Sequence, residues 1–302
     1  MRDRPGPYAA GPDAGAAAGR VAVVTDSTAY FPPGLAAAHG IGVVPLGAVV
    51  DGLPGDDGDS AAARDVAAAR RRWAPVTTSR PTPARFAAVY AARAAAGATA
   101  IVSVHLSGAM SGTVESARLA AAQAPVPVEV VDSRLIGMGL GFAALAAAET
   151  AASGAGAAEV AARAAGRAAA TSSLFCVDDL EHLRRGGRIG AAQTLLGAAL
   201  GVKPVLAIRD GRVEPVEKVR TYARALARME DLAAEHAGPS PVDVAVQHLD
   251  GTERAEELAA RLRARLPAVR DVHVSEVGTV IAAHVGPGML GVAVAPLGPG
   301  PD

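Results

Sequence analysis

A segment dense in hydroxyl groups and glycines follows an apolar run in the first half of the chain. Ser107, Ser111 and Thr113 lie within seven positions together with Gly108 and Gly112, and an alanine-rich helix is predicted to begin there. The free N–H groups of a helix's first turn and the positive end of its dipole attract anions, and the hydroxyl groups add donors. Because one hydroxyl group is enough to cap a helix, the presence of three favours a binding site for a small anionic group.

Two further segments carry polar side chains where predicted strands end or loops begin. In segment 25–28, Asp26 either faces a ligand at the carboxyl edge of a sheet or caps the next turn, and capping is the commoner role. In segment 77–81, Pro81 keeps the preceding residue extended. Thr78 is therefore either exposed to a cleft or part of the lead into the following helix.

His284 lies between apolar residues at the end of a predicted strand, before a glycine–proline–glycine turn. A lone histidine in such a setting is more often a buried core residue than a functional one. Ser111 and His284 also permit a serine hydrolase in which Asp26 or Asp132 orients the histidine, although the Gly-x-Ser-x-Gly motif is absent. The other histidines lack metal-ligand spacing, and no nucleotide-binding glycine motif is found, so neither a metal nor a cofactor is predicted.

The composition argues against nucleic-acid binding and against membrane insertion. The chain has 302 residues, a formal net charge of −1 and 3% aromatic residues, so it lacks both the basic field and the stacking side chains that nucleic acid requires. We find no run of 18 apolar residues and no signal peptide. The single Cys176 excludes an internal disulfide and fits a reducing compartment, so we expect a cytoplasmic location.

The order of predicted elements indicates an α/β protein of two domains. Residues 1–19 are predicted to form a disordered leader. Strands alternate with helices over 20–170, which predicts a mostly parallel sheet with helices on both faces. A second α/β domain is predicted over 171–297, before a short tail at 298–302.

Several local predictions depend on particular segments. Residues 41–50 are predicted to form one strand and residues 60–73 a helix. Residues 75–83 are predicted to be an extended loop because they contain three prolines. A long alanine helix over about 138–170 is expected to break at its internal glycines, and a hairpin turn is predicted at 210–211.

These segments, taken in order, resemble the motifs of the DegV family, the fatty-acid-binding proteins whose FakB members are subunits of bacterial fatty acid kinase. The resemblance covers about residues 20–295. It rests on eight segments: "VAVVTDSTAYFP", "TTSRP", "HLSGAMSGT", "VVDS", "DDLEHLRRGGRIGAAQ", "VKPVL", "EKVRT" and "VIAAHVGPGMLGV". Each motif is weak alone, whereas eight in the same order are specific.

The resemblance implies that two α/β domains enclose one long-chain fatty acid, with no other cofactor and no catalysis by this chain. By the family pattern, Thr78 and Ser111 donate to the carboxylate and His284 lies close behind it. Ser107 and Gly112 are expected to add donors. A buried carboxylate needs several donors because an unpaired one costs several kcal/mol.

In kinase-linked members a kinase catalytic subunit phosphorylates the bound acid, which implies a role in phospholipid metabolism. The same pattern implies that Arg220, and also Arg188, face that partner. Gly108 and Arg80 stand where the family often has a second serine and a glutamine. Gly108 is expected to keep a backbone N–H for the seat, whereas Arg80 either brings positive charge toward the carboxylate or points outward. The alternatives are a serine hydrolase that uses Ser111 and His284, and a protein of the same fold that binds an unrelated ligand.

Overall fold

The structure, a computed structural model, describes residues 20–50, 53–57, 66, 76–195 and 203–298. The predicted leader at 1–19 and most of the predicted tail lie outside these residues. The predicted helix at 60–73 also lies outside them, apart from Val66.

The described residues form strands and helices in alternation. The strands are β1 (Val21–Asp26), β2 (Gly42–Val44), β3 (Gly47–Val50), β4 (Leu53–Asp56), β5 (Val76–Ser79), β6 (Ala100–His105), β7 (Val128–Asp132), β8 (Ser172–Cys176), β9 (Lys203–Arg209), β10 (Arg212–Val219), β11 (Val242–His248), β12 (Val269–Glu276) and β13 (Leu290–Pro296). The α-helices are α1 (Leu35–Ala38), α2 (Pro83–Ala95), α3 (Thr113–Ala121), α4 (Met138–Ala152), α5 (Ala157–Ala170), α6 (Glu181–Gly186), α7 (Tyr222–Ala237), α8 (Thr252–Arg265) and α9 (Thr279–Val285). Two 3₁₀ helices cover Ser27–Ala29 and Gly190–Leu195.

The first sheet is parallel, with strand order β2-β1-β6-β7. Helices α2 and α3 cover one face, where Phe86 and Tyr90 share a core with Val24 and Ile101. Helices α4 and α5 cover the other face, where Val102 is buried. The predicted parallel sheet with helices on both faces is therefore confirmed, and its strands are apolar on both sides because both sides are covered.

The second sheet has six strands in the order β10-β9-β8-β13-β11-β12. Its strands pair antiparallel except for β11 and β12, which pair in parallel. Helices α7 and α8 cover its outer face, where Met229 and Leu258 are fully buried. The two-sheet α/β architecture is confirmed, whereas the domain boundary at residue 170 stays a prediction.

Helix α4 lies between the two large sheets, since it contacts β1 and β6 on one side and β11 and β13 on the other. Its residues from Met138 to Ala148 are all buried. A helix that is covered all round needs no polar face, and its many alanines and glycines let the backbones of both sheets come close. The predicted break in the alanine helix is confirmed, because α4 ends at Ala152 and α5 begins at Ala157.

A small antiparallel sheet of order β4-β3-β5 corrects two local predictions. Segment 41–50 is not one strand: it divides at Pro45 and Leu46 into β2 of the parallel sheet and β3 of the small one. Pro45 has no N–H group to donate to a ladder, which favours this break. The predicted loop at 75–83 contains β5, in which β-branched Thr77 and Thr78 pair with β3.

The segment around His284 corrects a third prediction, because His284 lies in helix α9 and not at the end of a strand. A short apolar run has no period that separates a strand from a buried helix, and all of α9 except His284 is buried. The hairpin predicted at 210–211 is confirmed. Asp210 and Gly211 have φ values of 49° and 77°, as the tight turn between β9 and β10 requires.

Candidate functional site

A cavity of about 980 Å³, including its open mouth, is lined by residues of the N-terminal half and of the six-stranded sheet. Most of its wall is apolar and includes Leu106, Ile136, Phe175, Ile208, Val285 and Met289. The cavity therefore suits a ligand with a large apolar part.

Polar side chains from three distant segments line this cavity. Thr78, Ser111 and His284 all line it. Oγ1 of Thr78 lies 3.1 Å from Nε2 of His284, which is a hydrogen-bond distance. Oγ of Ser111 lies 2.8 Å from Oγ1 of Thr113. The structure thus brings the three predicted head-group residues to one cavity.

Helices α6 and α9 contact each other through a histidine of each helix, Gly186 at the end of α6, and Gly286, which follows α9. A Cβ atom added to Gly186 would lie 2.2 Å from Nδ1 of His284, so the imidazole ring lies directly on the glycine backbone. In the same way, a Cβ atom on Gly286 would lie 2.2 Å from Cδ2 of His182, and Gly286 has a φ of +71°. At position 286 a side chain would clash with His182 and the backbone has a positive φ, so only glycine fits there. The contact with Gly186 holds the ring of His284 in the cavity wall.

Asp26 fixes the turn that leads to Ser111 and does not face the cavity. Its fully buried carboxylate accepts hydrogen bonds from the backbone N–H of Leu106 at 3.0 Å and from that of Thr28 at 3.1 Å. Nδ1 of His105 lies 3.0 Å from the same carboxylate. Asp26 therefore joins the ends of β1 and β6, as expected of a capping residue.

Ser107 and Gly112 were predicted as additional donors, and the described part of the cavity wall includes neither of them. The Ser107 hydroxyl is buried and donates to the carbonyl of Gly211 at 2.8 Å, which ties this turn to the β9–β10 hairpin. Gly112 is the N-cap residue of α3 and has no side chain to cap it. The side chain of Arg80 lies against it, since a Cβ atom on Gly112 would be 2.1 Å from Nη1 of Arg80.

The backbone N–H of Gly108 was expected to donate to a ligand carboxylate, but it donates to the side-chain carboxylate of Asp132. It donates to Oδ1 of Asp132 at 3.1 Å, and the backbone N–H of Arg134 donates to the same atom at 2.9 Å. The Asp132 carboxylate therefore accepts hydrogen bonds from backbone N–H groups, and the Asp26 carboxylate contacts residues at the end of β6. Among the described residues, neither Asp26 nor Asp132 makes a hydrogen bond or ion pair with His284, so the contact that the hydrolase alternative assigned to one of these two carboxylates is not seen there.

Two arginines mark the open end of the cavity. Arg80 and Arg188 both line it and are both exposed. Arg188 donates to the carbonyl of Gly186 at 2.8 Å, beside His284. Arg80 makes no hydrogen bond or ion pair with another residue in the described ranges. Arg188, predicted to face a partner, therefore lies in the cavity wall next to the imidazole.

Arg220 lies away from the cavity, at the end of β10. Its side chain is exposed and forms no ion pair within the part of the chain that the structure describes. The nearby acid Glu217 pairs instead with Arg228, whose Nε lies 2.7 Å from the Glu217 carboxylate. The guanidinium of Arg220 is therefore available at the surface.

Asp57 was not predicted as a site residue, yet it holds the helix that carries His284. Its buried carboxylate accepts hydrogen bonds at 2.8 Å from the hydroxyls of Ser27, Tyr30 and Thr279. It also accepts a bond at 3.2 Å from the backbone N–H of Val280 in the first turn of α9.

Burial and the Asp57 charge raise the pKa of Tyr30 well above its usual value, so the phenol stays protonated and donates. Asp57 lies in the Gly- and Asp-rich segment 51–60, in which its sequence neighbours give no signal that separates a buried carboxylate from an exposed one.

Two more polar residues in the wall were not predicted as site residues, and they lie within strands β11 and β8. Gln247 and Ser173 are both buried and both line the cavity. Oε1 of Gln247 accepts a bond from the backbone N–H of Met138 at 2.7 Å, and its Nε2 donates to Ser275 at 3.0 Å. Gln247 thus connects α4 to β11 and β12.

The described ranges contain no cluster of His, Cys, Asp and Glu side chains that could hold a metal ion. Over the same ranges, none of the helices has both the length and the apolar character that crossing a bilayer requires.

Comparisons with known proteins agree with this architecture. The family model "Uncharacterised protein, DegV family" matches residues 20–297. A DegV domain-containing protein of Streptomyces coelicolor is 54% identical over 274 residues, which cover 91% of this chain and 98% of that protein.

Two solved structures are similar over nearly the whole chain. One shows fatty acid binding of a DegV family protein from Thermus thermophilus, with a TM-score of 0.87 and 35% identity, and the match covers 92% of this chain and 100% of that one. The other is DegV, a fatty acid binding protein from Bacillus subtilis, with a TM-score of 0.83, 32% identity, and coverage of 92% and 99%.

Proposed function

The chain belongs to the DegV family, and on that premise we propose that it binds one long-chain fatty acid. The carboxylate lies at Thr78, Ser111 and His284, and the acyl chain follows the apolar wall of the cavity. The observation that carries this proposal is that these three polar residues line one cavity whose wall is mostly apolar, with Thr78 and His284 in contact. The similar proteins from Thermus thermophilus and Bacillus subtilis, which bind fatty acid, support it.

The polar end of the cavity suits a carboxylate. Thr78 and Ser111 offer hydroxyl donors and His284 offers a ring N–H, and hydrogen bonds to a charged group are each worth about 1.5–3 kcal/mol. Arg80 and Arg188 add positive charge at the open end. These charges favour an anionic head group over a neutral one.

The apolar wall supplies most of the affinity. Each buried methylene contributes about 0.8 kcal/mol, so a chain of about 14 methylenes contributes on the order of 11 kcal/mol before the cost of association. A ligand bound in this way is expected to remain bound through purification.

We infer further that the chain presents the carboxylate to a separate kinase catalytic subunit, and that it is not itself the catalyst. The exposed arginines at the open end support access of a second protein to the head group. The exposed Arg220, which has no ion pair among the described residues, supports a contact with that subunit. In this proposal the protein acts in cytoplasmic phospholipid metabolism.

Native mass spectrometry of the purified protein, followed by denaturation and lipid extraction, tests the proposal. We expect one fatty acid per chain and its reversible rebinding after delipidation. Protein that releases no lipid and binds none after delipidation would contradict it. Turnover of p-nitrophenyl esters that is lost in Ser111→Ala would support the hydrolase instead.

A further inference from the structure

A buried threonine outside the cavity wall contacts the hydroxyl group of Ser111. Oγ1 of Thr113, the first residue of helix α3, lies 2.8 Å from Oγ of Ser111. Thr113 is fully buried and is not among the described residues that line the cavity, whereas Ser111 is half-buried and lines it. Thr113 can therefore affect a ligand's head group only through Ser111.

Burial decides which of the two hydroxyl groups donates. Within the part of the chain that the structure describes, Ser111 is the one hydrogen-bond partner of the Thr113 hydroxyl. If Ser111 donated, the hydrogen of the buried Thr113 hydroxyl would have no acceptor, and a buried donor without an acceptor is costly. If Thr113 donates, its hydrogen is bonded, and the hydrogen of Ser111 can point into the cavity. The favourable arrangement therefore has Thr113 as the donor and Ser111 as the acceptor.

The backbone around Ser111 is fixed as well. The N–H of Ser111 donates to the carbonyl of Ser107 at 3.1 Å, and the N–H of Met110 donates to the same carbonyl at 3.0 Å. Gly112, the N-cap residue of α3, has no side chain that could compete for either hydroxyl. The branched side chain of Thr113 has few rotamers in a helix. These contacts fix the position of the Ser111 oxygen, and the bond from Thr113 sets the direction of its hydrogen.

We propose that Thr113 is a positioning residue for the head group: it donates to Ser111 and thereby directs the Ser111 hydrogen toward the ligand carboxylate. Hydrogen bonds in a chain polarise one another, and a charged acceptor at the end of the chain makes the last bond stronger. The pair therefore favours a ligand group that accepts hydrogen bonds, such as a carboxylate. This proposal rests on the proposed fatty-acid-binding function.

A double-mutant cycle on delipidated protein tests the proposal, with palmitic acid as the ligand and calorimetric titration as the measurement. Thr113→Val keeps the branched shape and removes the hydroxyl, and we expect it to lower the affinity for palmitic acid about fivefold. In the Ser111→Ala background the same change should have no further effect, because the group through which Thr113 acts is gone. Thr113→Ser, which keeps the hydroxyl, should bind nearly as tightly as the wild type.

Thr252→Val is the matched control. Thr252 is the first residue of α8, it also follows a glycine N-cap, and it is not among the described residues of the cavity wall, so its replacement should leave the affinity unchanged. Palmitic acid labelled with carbon-13 at the carboxyl group gives a second readout at the head group itself. Its bound resonance should move in Thr113→Val in the same direction as in Ser111→Ala. Circular dichroism checks folding, and Thr113→Ala takes the place of Thr113→Val in the cycle if the valine variant does not fold.

The outcomes separate this inference from the proposed function. If Thr113→Val binds palmitic acid as the wild type does and the resonance does not move, the positioning role is overturned and fatty acid binding stands. If the loss of affinity is equally large in the Ser111→Ala background, Thr113 acts through packing, and the positioning role is overturned as well. If the wild type binds no palmitic acid, the proposed function is overturned, and this inference with it.

Discussion

Thr78 and His284 are 206 positions apart in the chain, yet their side chains lie 3.1 Å apart at Oγ1 and Nε2. The threonine comes from β5 of the small sheet and the histidine from helix α9. Asp57 follows β4 of the same small sheet and binds the first turn of α9. The small sheet and the residue that follows β4 therefore contact α9 near both of its ends. Changes at these contacts should weaken binding of the ligand's carboxylate more than binding of its acyl chain.

Replacement of Thr78 by valine tests the head-group assignment directly. Thr78→Val keeps the shape of the side chain and removes its hydroxyl, so the affinity for palmitic acid should fall by about 1–2 kcal/mol. The affinity for hexadecanol, which carries no charge, should change less. Calorimetric titration of delipidated protein measures both, and Thr77→Val, an exposed neighbour outside the cavity wall, is the matched control. Equal palmitic acid affinity in both variants would remove Thr78 from the site.

Asp57 and Asp56 form a second matched pair, because they are adjacent and differ in burial. Asp57→Ala leaves several buried donors without an acceptor, and we expect it to lower the free energy of unfolding by about 3 kcal/mol. Asp56 is exposed and pairs with Arg85 at 2.6 Å, so Asp56→Ala should cost less than about 1 kcal/mol. Urea unfolding monitored by circular dichroism measures both. Similar values for the two variants would show that the Asp57 contacts do not hold α9.

The elements of the fold could be predicted because the sequence carries local signals for them. Apolar runs that end in small polar residues marked β1 and β6, and a strand–helix alternation indicated the parallel sheet. Thr78 and Ser111 were recognised because each lies in a polar segment next to an element boundary. Local chemistry was sufficient for the elements and for the choice of the two polar segments, whereas the role of Thr78 and Ser111 as carboxylate donors came from the resemblance to the DegV family.

Other parts of the site depend on contacts between distant segments, which local chemistry does not specify. The partner of the Ser107 hydroxyl, Gly211, is 104 positions away, so a residue that looked like a ligand donor serves a structural contact. Asp57 contacts Thr279 from 222 positions away and looked like any residue of an exposed loop. The apolar run before His284 had no period long enough to distinguish a strand from a buried helix.

Acid should destabilise the protein through His248. Burial lowers the pKa of His248 below its usual 6.5, and the weaker effect of nearby Glu276 acts in the opposite direction. Nδ1 of His248 accepts a hydrogen bond from the backbone N–H of Gly251 at 3.3 Å, which requires a neutral ring. Because the unfolded chain binds the proton more readily, stability is greatest above about pH 6.5 and falls as the pH drops toward the folded-state pKa. Burial also lowers the pKa of His273, which acts in the same direction.

Thermal unfolding between about pH 7.5 and about pH 5 measures this effect. His248→Asn keeps an acceptor for the Gly251 N–H without the titrating ring, so its melting temperature should fall less steeply with acid than that of the wild type. His39→Asn, at an exposed position, should follow the wild-type curve. Parallel curves for all three proteins would show that His248 does not titrate between the folded and unfolded states.

Arg80 should contribute to head-group affinity through its charge. Arg80→Gln removes a guanidinium from the open end of the cavity, where no described residue neutralises it. We expect a several-fold loss of palmitic acid affinity at low salt, a smaller loss at high salt because ions screen exposed charges, and no loss for hexadecanol. Arg118→Gln, an exposed position on α3 outside the cavity wall, is the control. A salt-independent effect, or one shared by the control, would mean that the Arg80 side chain points away from the ligand.

Arg220 tests the partner surface separately from the cavity. Arg220→Ala removes an exposed guanidinium that has no ion pair among the described residues, so the melting temperature and the bound lipid should remain close to those of the wild type. A guanidinium at a protein surface can bind a carboxylate or phosphate through two hydrogen bonds, so its loss should abolish acyl-phosphate formation when a fatty acid kinase catalytic subunit and ATP are supplied. Arg224→Ala, exposed at the start of α7, is the matched control and should keep the activity.

Arg188→Ala should reduce lipid affinity as well, because Arg188 lines the cavity. Loss of lipid in Arg220→Ala would place this arginine in the ligand site, and full activity would leave Arg188 as the arginine that the kinase subunit contacts.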